Sequence, residues 1–144
     1  MKLLETTINS YVEAEYQIKR LLTDTRKLMD NINVFNLNAE DVQKYHILYK
    51  AMEGLEKAYS SIVDLNKKVL IEGHLVKNDR GRYELCGKEF TSGSLIDVWR
   101  EDSDMKDGGF YISSRIEHRG GDYYCVDIPY IKLEGLKARY RAAF

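Results

Sequence analysis

The sequence has few cysteines and no long hydrophobic run, and each shortage excludes a class of protein. Its two cysteines, Cys86 and Cys125, are far apart, so they provide neither the paired spacing of a zinc site nor a secreted disulfide framework. Both lie in strand-like runs, and we interpret them as small core residues. The N-terminal MKLLETTINS is too polar for a signal peptide or a membrane span, and we therefore expect a cytoplasmic protein.

An excess of positive charge is also lacking. Twenty-two Lys and Arg against 23 Asp and Glu give a net charge of -1, so any basic patch must be local. The sequence contains no phosphate-binding glycine loop, nucleophile elbow, metal-ligand cluster or dinucleotide fingerprint. The acidic run EDSDMKD lacks the glycine and distal glutamate of an EF-hand, which favours a solvated loop. We therefore expect a protein that is not an enzyme and uses no metal or cofactor.

Apolar residues in the first half recur with the period of a helix. A heptad stripe predicts one helix from about residue 2 to about residue 30, interrupted only by Glu15 and Thr25. The asparagine-rich NINVFNLN ends it, Asn38 is the expected N-cap of a second helix, and Gly73 is the expected stop. Two helices with a short polar link predict an antiparallel hairpin, a coiled-coil-like domain of residues 1–72.

Pairing the two helices covers only part of each apolar stripe. The remainder must be covered by the second half of the chain, by a second copy in a homodimer, or by another protein. Several tyrosines suit either a core or a partner surface, because a tyrosine ring packs while its hydroxyl stays wet. We interpret them chiefly as core residues: Tyr11, Tyr16, Tyr45, Tyr49 and Tyr59.

Residues 73–144 alternate with the period of a strand. HLVKNDRGRYELCG predicts strand, turn and strand, SLIDVWR a further strand, and RGGD a hairpin turn between two more. The final LEGLKARYR fits an amphipathic helix or an edge strand, and its strict alternation favours the strand. The expected fold class is therefore α+β, with an N-terminal antiparallel two-helix hairpin followed by a small antiparallel β-sheet or SH3-like barrel.

The stretch SSRIEHRGGDYYCVD contains Glu117, His118 and Arg119, which could suggest a catalytic cluster. Side chains alternate along a strand, so Glu117 and His118 point to opposite faces and cannot form a dyad. We therefore interpret them as the end of a strand before a turn. A pair formed by His74 and His118, acting as acid and base on RNA, is the remaining catalytic alternative.

One set of residues forms a possible binding surface. Lys137, Arg139 and Arg141 lie on one face of the final element, and aromatic residues interleaved with cations could hold phosphates and stack a base. The alternative is an ordinary solvated sheet face with cross-strand ion pairs, Arg115 with Glu117 among them. The candidate binding residues are Arg80, Arg82, Arg115, Arg119, Tyr123, Lys137, Arg139 and Arg141.

The strings GRYELCGKEFTSGSLIDVW, SRIEHRGGDYY and LEGLKARYR resemble a domain family of unknown function from phages and mobile elements of Gram-positive bacteria. The resemblance covers about residues 74–141 and is similar to the C-terminal domains of some type II anti-CRISPR proteins. It implies a non-enzymatic inhibitor that binds a type II RNA-guided nuclease or its guide-RNA complex. An RNA-binding or RNA-processing module and a mobile-element protein that dimerises through its helices are the alternatives.

Overall fold

The computed structural model describes residues 1–142, which form two compact units, residues 1–67 and residues 68–142. The first unit is helical and the second consists of antiparallel strands. The predicted α+β class is therefore confirmed. No helix within residues 1–142 is long and apolar enough to cross a membrane.

The first helical stretch is bent rather than continuous. Helix α1 spans Lys2–Glu13 and α2 spans Glu15–Asn31. Between them the amide of Ala14 donates to the carbonyl of Tyr11, three residues back, in a tighter turn than the α-helix. The prediction of one unbroken helix to residue 30 is therefore wrong, and the break adjoins Glu15, the polar residue that interrupts the apolar stripe.

A 3-10 turn, Val34–Asn36, leads into α3, which spans Ala39–Leu65. The predicted N-cap is confirmed, because the side-chain oxygen of Asn38 accepts a hydrogen bond of 2.8 Å from the amide of Asp41. The predicted stop at Gly73 is wrong. Residues Lys68–His74 form strand β1 instead, because pairing with the last strand of the sheet outweighs the helical spacing of this segment.

The helical unit has a small core. Within residues 1–67 the buried side chains are Leu22 on α2 and Ile62 on α3. Two helices bury only the stripe along which they meet. Three of the tyrosines interpreted as core residues are accordingly exposed, and these are Tyr11, Tyr16 and Tyr49.

Seven further strands follow β1 in the second unit. They are β2 (Val76–Lys77), β3 (Tyr83–Leu85), β4 (Lys88–Glu89), β5 (Leu95–Glu101), β6 (Gly109–Arg119), β7 (Asp122–Cys125) and β8 (Lys137–Ala142). Five of them form a sheet in the order β1-β8-β5-β6-β7, and β2-β3-β4 form a smaller sheet. Within the described residues the strands therefore form two antiparallel sheets, without a closed barrel.

The final element is a strand, as its alternation predicts, but it is not an edge. β8 pairs with β1 on one side and with β5 on the other. The β6–β7 turn also agrees with the sequence, because Gly120 and Gly121 both have positive φ, of 63° and 85°, as a two-residue hairpin requires.

One face of the five-stranded sheet forms the core of the β unit. Ile96, Val98, Ile116 and Ala138 point inward from β5, β6 and β8 and are at most 3% exposed. They pack against residues from the smaller sheet and the connecting loops, namely Leu75, Tyr83, Leu85, Phe90, Ile128 and Leu133. Because side chains alternate along a strand, the residues between the inward ones point to the opposite face.

Candidate functional site: the outer face of the sheet

The face opposite the core, called here the outer sheet face, consists of alternate residues of the central strands. β8 contributes Lys137, Arg139 and Arg141, which alternate with the buried Ala138 and with Tyr140, which packs against the core. Its further members include Glu72 on β1, Asp97 and Trp99 on β5, Tyr111, Ser113, Arg115, Glu117 and Arg119 on β6, and Tyr124 on β7.

Asp97 lies at the centre of this face and is only 5% exposed. It accepts a hydrogen bond of 3.1 Å from Nε of Arg139, and Arg141 donates to it from both Nε and Nη2. Burial alone raises the pKa of the Asp97 carboxyl, but the hydrogen bonds and charges of Arg141 and Arg139 outweigh burial and hold that pKa below its usual value. The carboxylate therefore fixes the two guanidinium groups in place.

Next to this cluster, two cations lie over aromatic rings. The rings of Trp99 and Tyr111 meet edge to face with centroids 5.1 Å apart. Lys137 Nζ lies 4.4 Å from the centroid of Trp99, and Arg139 Cζ lies 4.0 Å from that of Tyr111. A Cβ at Gly109 would come within 2.7 Å of the Trp99 ring, so a glycine is needed there for the ring to lie against the backbone.

The hydroxyl of Tyr111 donates a hydrogen bond of 2.8 Å to Glu72 on β1. Partial burial of the phenol, followed by its hydrogen bond to the Glu72 carboxylate, raises the pKa of Tyr111 to about 12. The Tyr111 phenol is therefore neutral across the physiological pH range. Its ring, which supports Arg139, is held by the contact with Trp99 and by the hydrogen bond from its hydroxyl to Glu72.

Cations at the other end of β6 are held more loosely. Arg115 Nε donates to Glu117 at 3.1 Å, so the expected ion pair forms. Both residues lie on β6, however, and the expectation that the pair joins two strands is wrong. Arg119 Cζ lies 4.9 Å from the ring centroid of Tyr124. Carboxylates thus alternate with cations along the outer sheet face.

Of the candidate binding residues, five lie on this face: Arg115, Arg119, Lys137, Arg139 and Arg141. The structure places the other three elsewhere. Arg80 and Arg82 form salt bridges of 2.8 and 2.7 Å with Glu89 beside the smaller sheet. Tyr123 packs against the core on the inner side of the main sheet.

The histidine alternative gains no support from the geometry. His74 on β1 lies opposite Lys137, and His118 on β6 lies opposite Tyr123, so that two strands separate β1 from β6 in the sheet. The ring of His118 packs edge-on against Tyr123 at a centroid distance of 4.8 Å.

The two cysteines differ from each other. Cys125 is fully buried, as expected, and burial raises the pKa of its thiol. Cys86 is exposed, contrary to the sequence interpretation, because it occupies the turn between β3 and β4 with a positive φ of 50°. Within residues 1–142 no group of His, Cys, Asp or Glu side chains has the arrangement of a metal site.

The residues that sequence reasoning missed are Asp97, Trp99 and Glu72, which position the cations. A carboxylate within the apolar run LIDVWR was the available indication, because a charged residue is rarely buried unless it is paired. The partners of Asp97 are more than 40 positions away in sequence and depend on the pairing of β5 with β8.

Comparison with known protein families gives a match within the β unit. Residues 73–140 match the family model of a domain of unknown function, DUF5348. The match runs from the end of β1 into β8 and leaves the helical unit outside it. No curated protein and no solved structure matches the chain.

Proposed function

We propose that this chain is a non-enzymatic interaction protein of a phage or mobile element. Its proposed target is a type II RNA-guided nuclease or the guide-RNA complex of that nuclease. The observation that carries the proposal is the set of cations held over aromatic rings on the outer sheet face: Lys137 on Trp99, Arg139 on Tyr111 and Arg119 on Tyr124. The choice of target rests on the resemblance of residues 74–141 to the C-terminal domains of anti-CRISPR proteins.

Cations held in this way suit a binding surface for a physical reason. A mobile Lys or Arg loses side-chain entropy when a partner immobilises it, and a side chain already held in place loses less. Arg139 is fixed by Asp97 and by the Tyr111 ring before any partner arrives. Trp, Tyr and Arg are also the residues that most often dominate binding energy at protein interfaces.

The mixture of charges favours a protein surface over bare phosphate. Glu72, Asp97 and Glu117 lie among the cations, and carboxylates at these positions would repel a continuous phosphate backbone. A nuclease surface that presents both carboxylates and donors can match such a pattern residue by residue.

Cleavage of target DNA by several type II RNA-guided nucleases tests the proposal, with the protein added before or after guide loading and the guide RNA examined on a gel. We expect inhibition with intact guide RNA. The variant Lys137→Glu should lose inhibition, whereas Lys106→Glu, the same change in the exposed loop between β5 and β6, should retain it. Absence of inhibition with every nuclease, or equal inhibition by both variants, would contradict the proposal, and shortened guide RNA would contradict its non-enzymatic part.

RNA binding by the same face is the second candidate. It is favoured by the far end of β6, where Arg119 and the Tyr124 ring lie outside the Asp97 cluster and could contact a phosphate and a base. RNA affinity measured against salt tests it, because each phosphate contact adds to the slope of log affinity against log salt. Arg119→Glu should reduce both affinity and slope. An affinity that does not change with salt would exclude this candidate.

A further inference from the structure

Helix α3 has two heptad seams rather than one. The first, which includes Leu55, Tyr59 and the buried Ile62, faces α1 and α2. The second seam advances by alternating steps of four and three residues along an exposed side of α3. Its members are Ile47, Ala51, Gly54, Ala58, Ser61 and Leu65. Ile47 is 60% exposed and Leu65 is 47% exposed, so nothing within the helical unit covers this seam.

Gly54 lies near the middle of the second seam, on an exposed side of α3. A Cβ added there would have no heavy atom within 4 Å, so packing does not require the glycine. Glycine in the middle of a 27-residue helix also lowers helix propensity more than any residue except proline. With Ala51 and Ala58 on either side, it instead gives α3 a shallow groove that another helix can approach closely.

A ridge of leucines lies on the same side of the hairpin. Leu21 and Leu28 are spaced by seven residues on α2 and are 56% and 49% exposed. At about 100° per residue, Leu21 and Leu28 both lie slightly more than a quarter-turn around the helix axis from the buried Leu22, in the same direction. Because α2 and α3 are antiparallel, these leucines and the second seam of α3 lie on the same side of the hairpin. Arg26 and Glu56 form their 2.9 Å salt bridge on the other side.

We propose that the helical unit forms a two-fold symmetric dimer, a four-helix bundle in which the leucine ridge of α2 packs into the second seam of α3 of a second copy. A two-fold axis parallel to the helices places α2 of one copy over α3 of the other, and the reverse, at the same height. The leucines of α2 then pack against the small side chains of α3 of the other copy, and the symmetry repeats this contact with the copies exchanged. An isologous contact requires this self-complementarity.

The charged residues that border this face also fit the two-fold dimer. Asp24 borders the ridge between Leu21 and Leu28, and Lys57 follows Gly54 by three residues on α3. The salt bridge between residues 26 and 56 places residue 24 level with about residue 58 on α3. The two-fold axis therefore places Asp24 next to Lys57 of the second copy. Within one chain these side chains lie at opposite edges of the hairpin.

The small core of the helical unit also favours a second copy of the chain as the partner. Leu22 and Ile62 are the only buried side chains in residues 1–67, and units of this size often gain their stability by association. Leu21, Leu28, Ile47 and Leu65 are each about half exposed in the single chain. Contact with a second copy would remove these aliphatic side chains from water and so stabilise the dimer.

The solution mass of the full chain tests the proposal. Sedimentation between ~1 and ~100 µM should give twice the chain mass of 16.8 kDa. Gly54→Leu should give a monomer with unchanged helical circular dichroism, because its new side chain enters open space in the single chain. Glu53→Leu adds the same side chain one position away, pointing off the seam, and should remain a dimer. A wild-type monomer throughout this range, or a dimer that persists in Gly54→Leu, would overturn the proposal.

A charge exchange tests the register independently. Asp24→Lys and Lys57→Asp should each weaken the dimer by about threefold to tenfold, since each creates a like-charge contact at the interface. The double variant restores opposite charges between copies and should recover most of the lost affinity. Because the two residues are too far apart to meet within one chain, recovery identifies a contact between copies. Additive weakening in the double variant would refute the proposed arrangement.

Discussion

Replacement of Asp97 by asparagine removes the charge at the centre of the outer sheet face and keeps the shape of the side chain. Asp97 is 5% exposed and accepts hydrogen bonds from both Arg139 and Arg141. The variant leaves two guanidinium groups with side-chain exposures of only 29% and 16% facing a neutral amide. Loss of one partner from a buried ion pair costs about 3 kcal/mol or more, and we expect a loss near 3 kcal/mol because the guanidinium groups retain some contact with water.

Urea unfolding followed by the fluorescence of Trp99, the only tryptophan, measures this loss in the β unit. The pKa of Asp97 is lower in the folded state than in the unfolded chain, so its charge stabilises the fold above about pH 4. That contribution is lost as the pH falls through the folded pKa. The stability difference between wild type and Asp97→Asn should therefore be complete at pH 7 and shrink in acid.

Asp107→Asn is the matched control, because Asp107 is exposed in the loop between β5 and β6. Its effect should remain within about 0.5 kcal/mol of wild type at every pH. Equal stability of Asp97→Asn and wild type at pH 7 would refute the argument that the carboxylate fixes the two arginines. A stability difference that grew as the pH fell would refute the sign of the pKa shift.

Three further changes test other contacts. Gly109→Ala should destabilise the β unit by about 2 kcal/mol or more in urea unfolding and shift the tryptophan emission, because its Cβ would lie 2.4 Å from the carbonyl oxygen of Arg100. Tyr111→Phe should cost about 1–2 kcal/mol through loss of the hydrogen bond to Glu72. It should also remove the tyrosine that titrates at about 12 in NMR, whose stabilising effect is present below about pH 10 and is lost as the pH rises toward 12. Asn38→Ala should lower helix stability by about 1 kcal/mol in circular dichroism melts, because it removes the N-cap of α3.

Sequence patterns predicted the elements better than their ends. The cap at Asn38, the β6–β7 turn and the strand at the C-terminal end follow from local chemistry and were confirmed. The helix expected to continue to Gly73 ends at Leu65, because the following residues gain more from pairing with β8 than from another two turns of helix. Local propensity contains no information about a strand that lies almost 70 residues away.

The sequence by itself determined the α+β class, the alternation that puts Lys137, Arg139 and Arg141 on one face, and the opposite directions of Glu117 and His118. These properties follow from side-chain period and turn chemistry, which act over a few residues. Only the tertiary structure decided which cations share the outer sheet face and which, such as Arg80 and Arg82, pair elsewhere. That outcome depends on strand order and register, which are set by packing of the whole core and bring Asp97 to Arg139 across 42 positions of sequence.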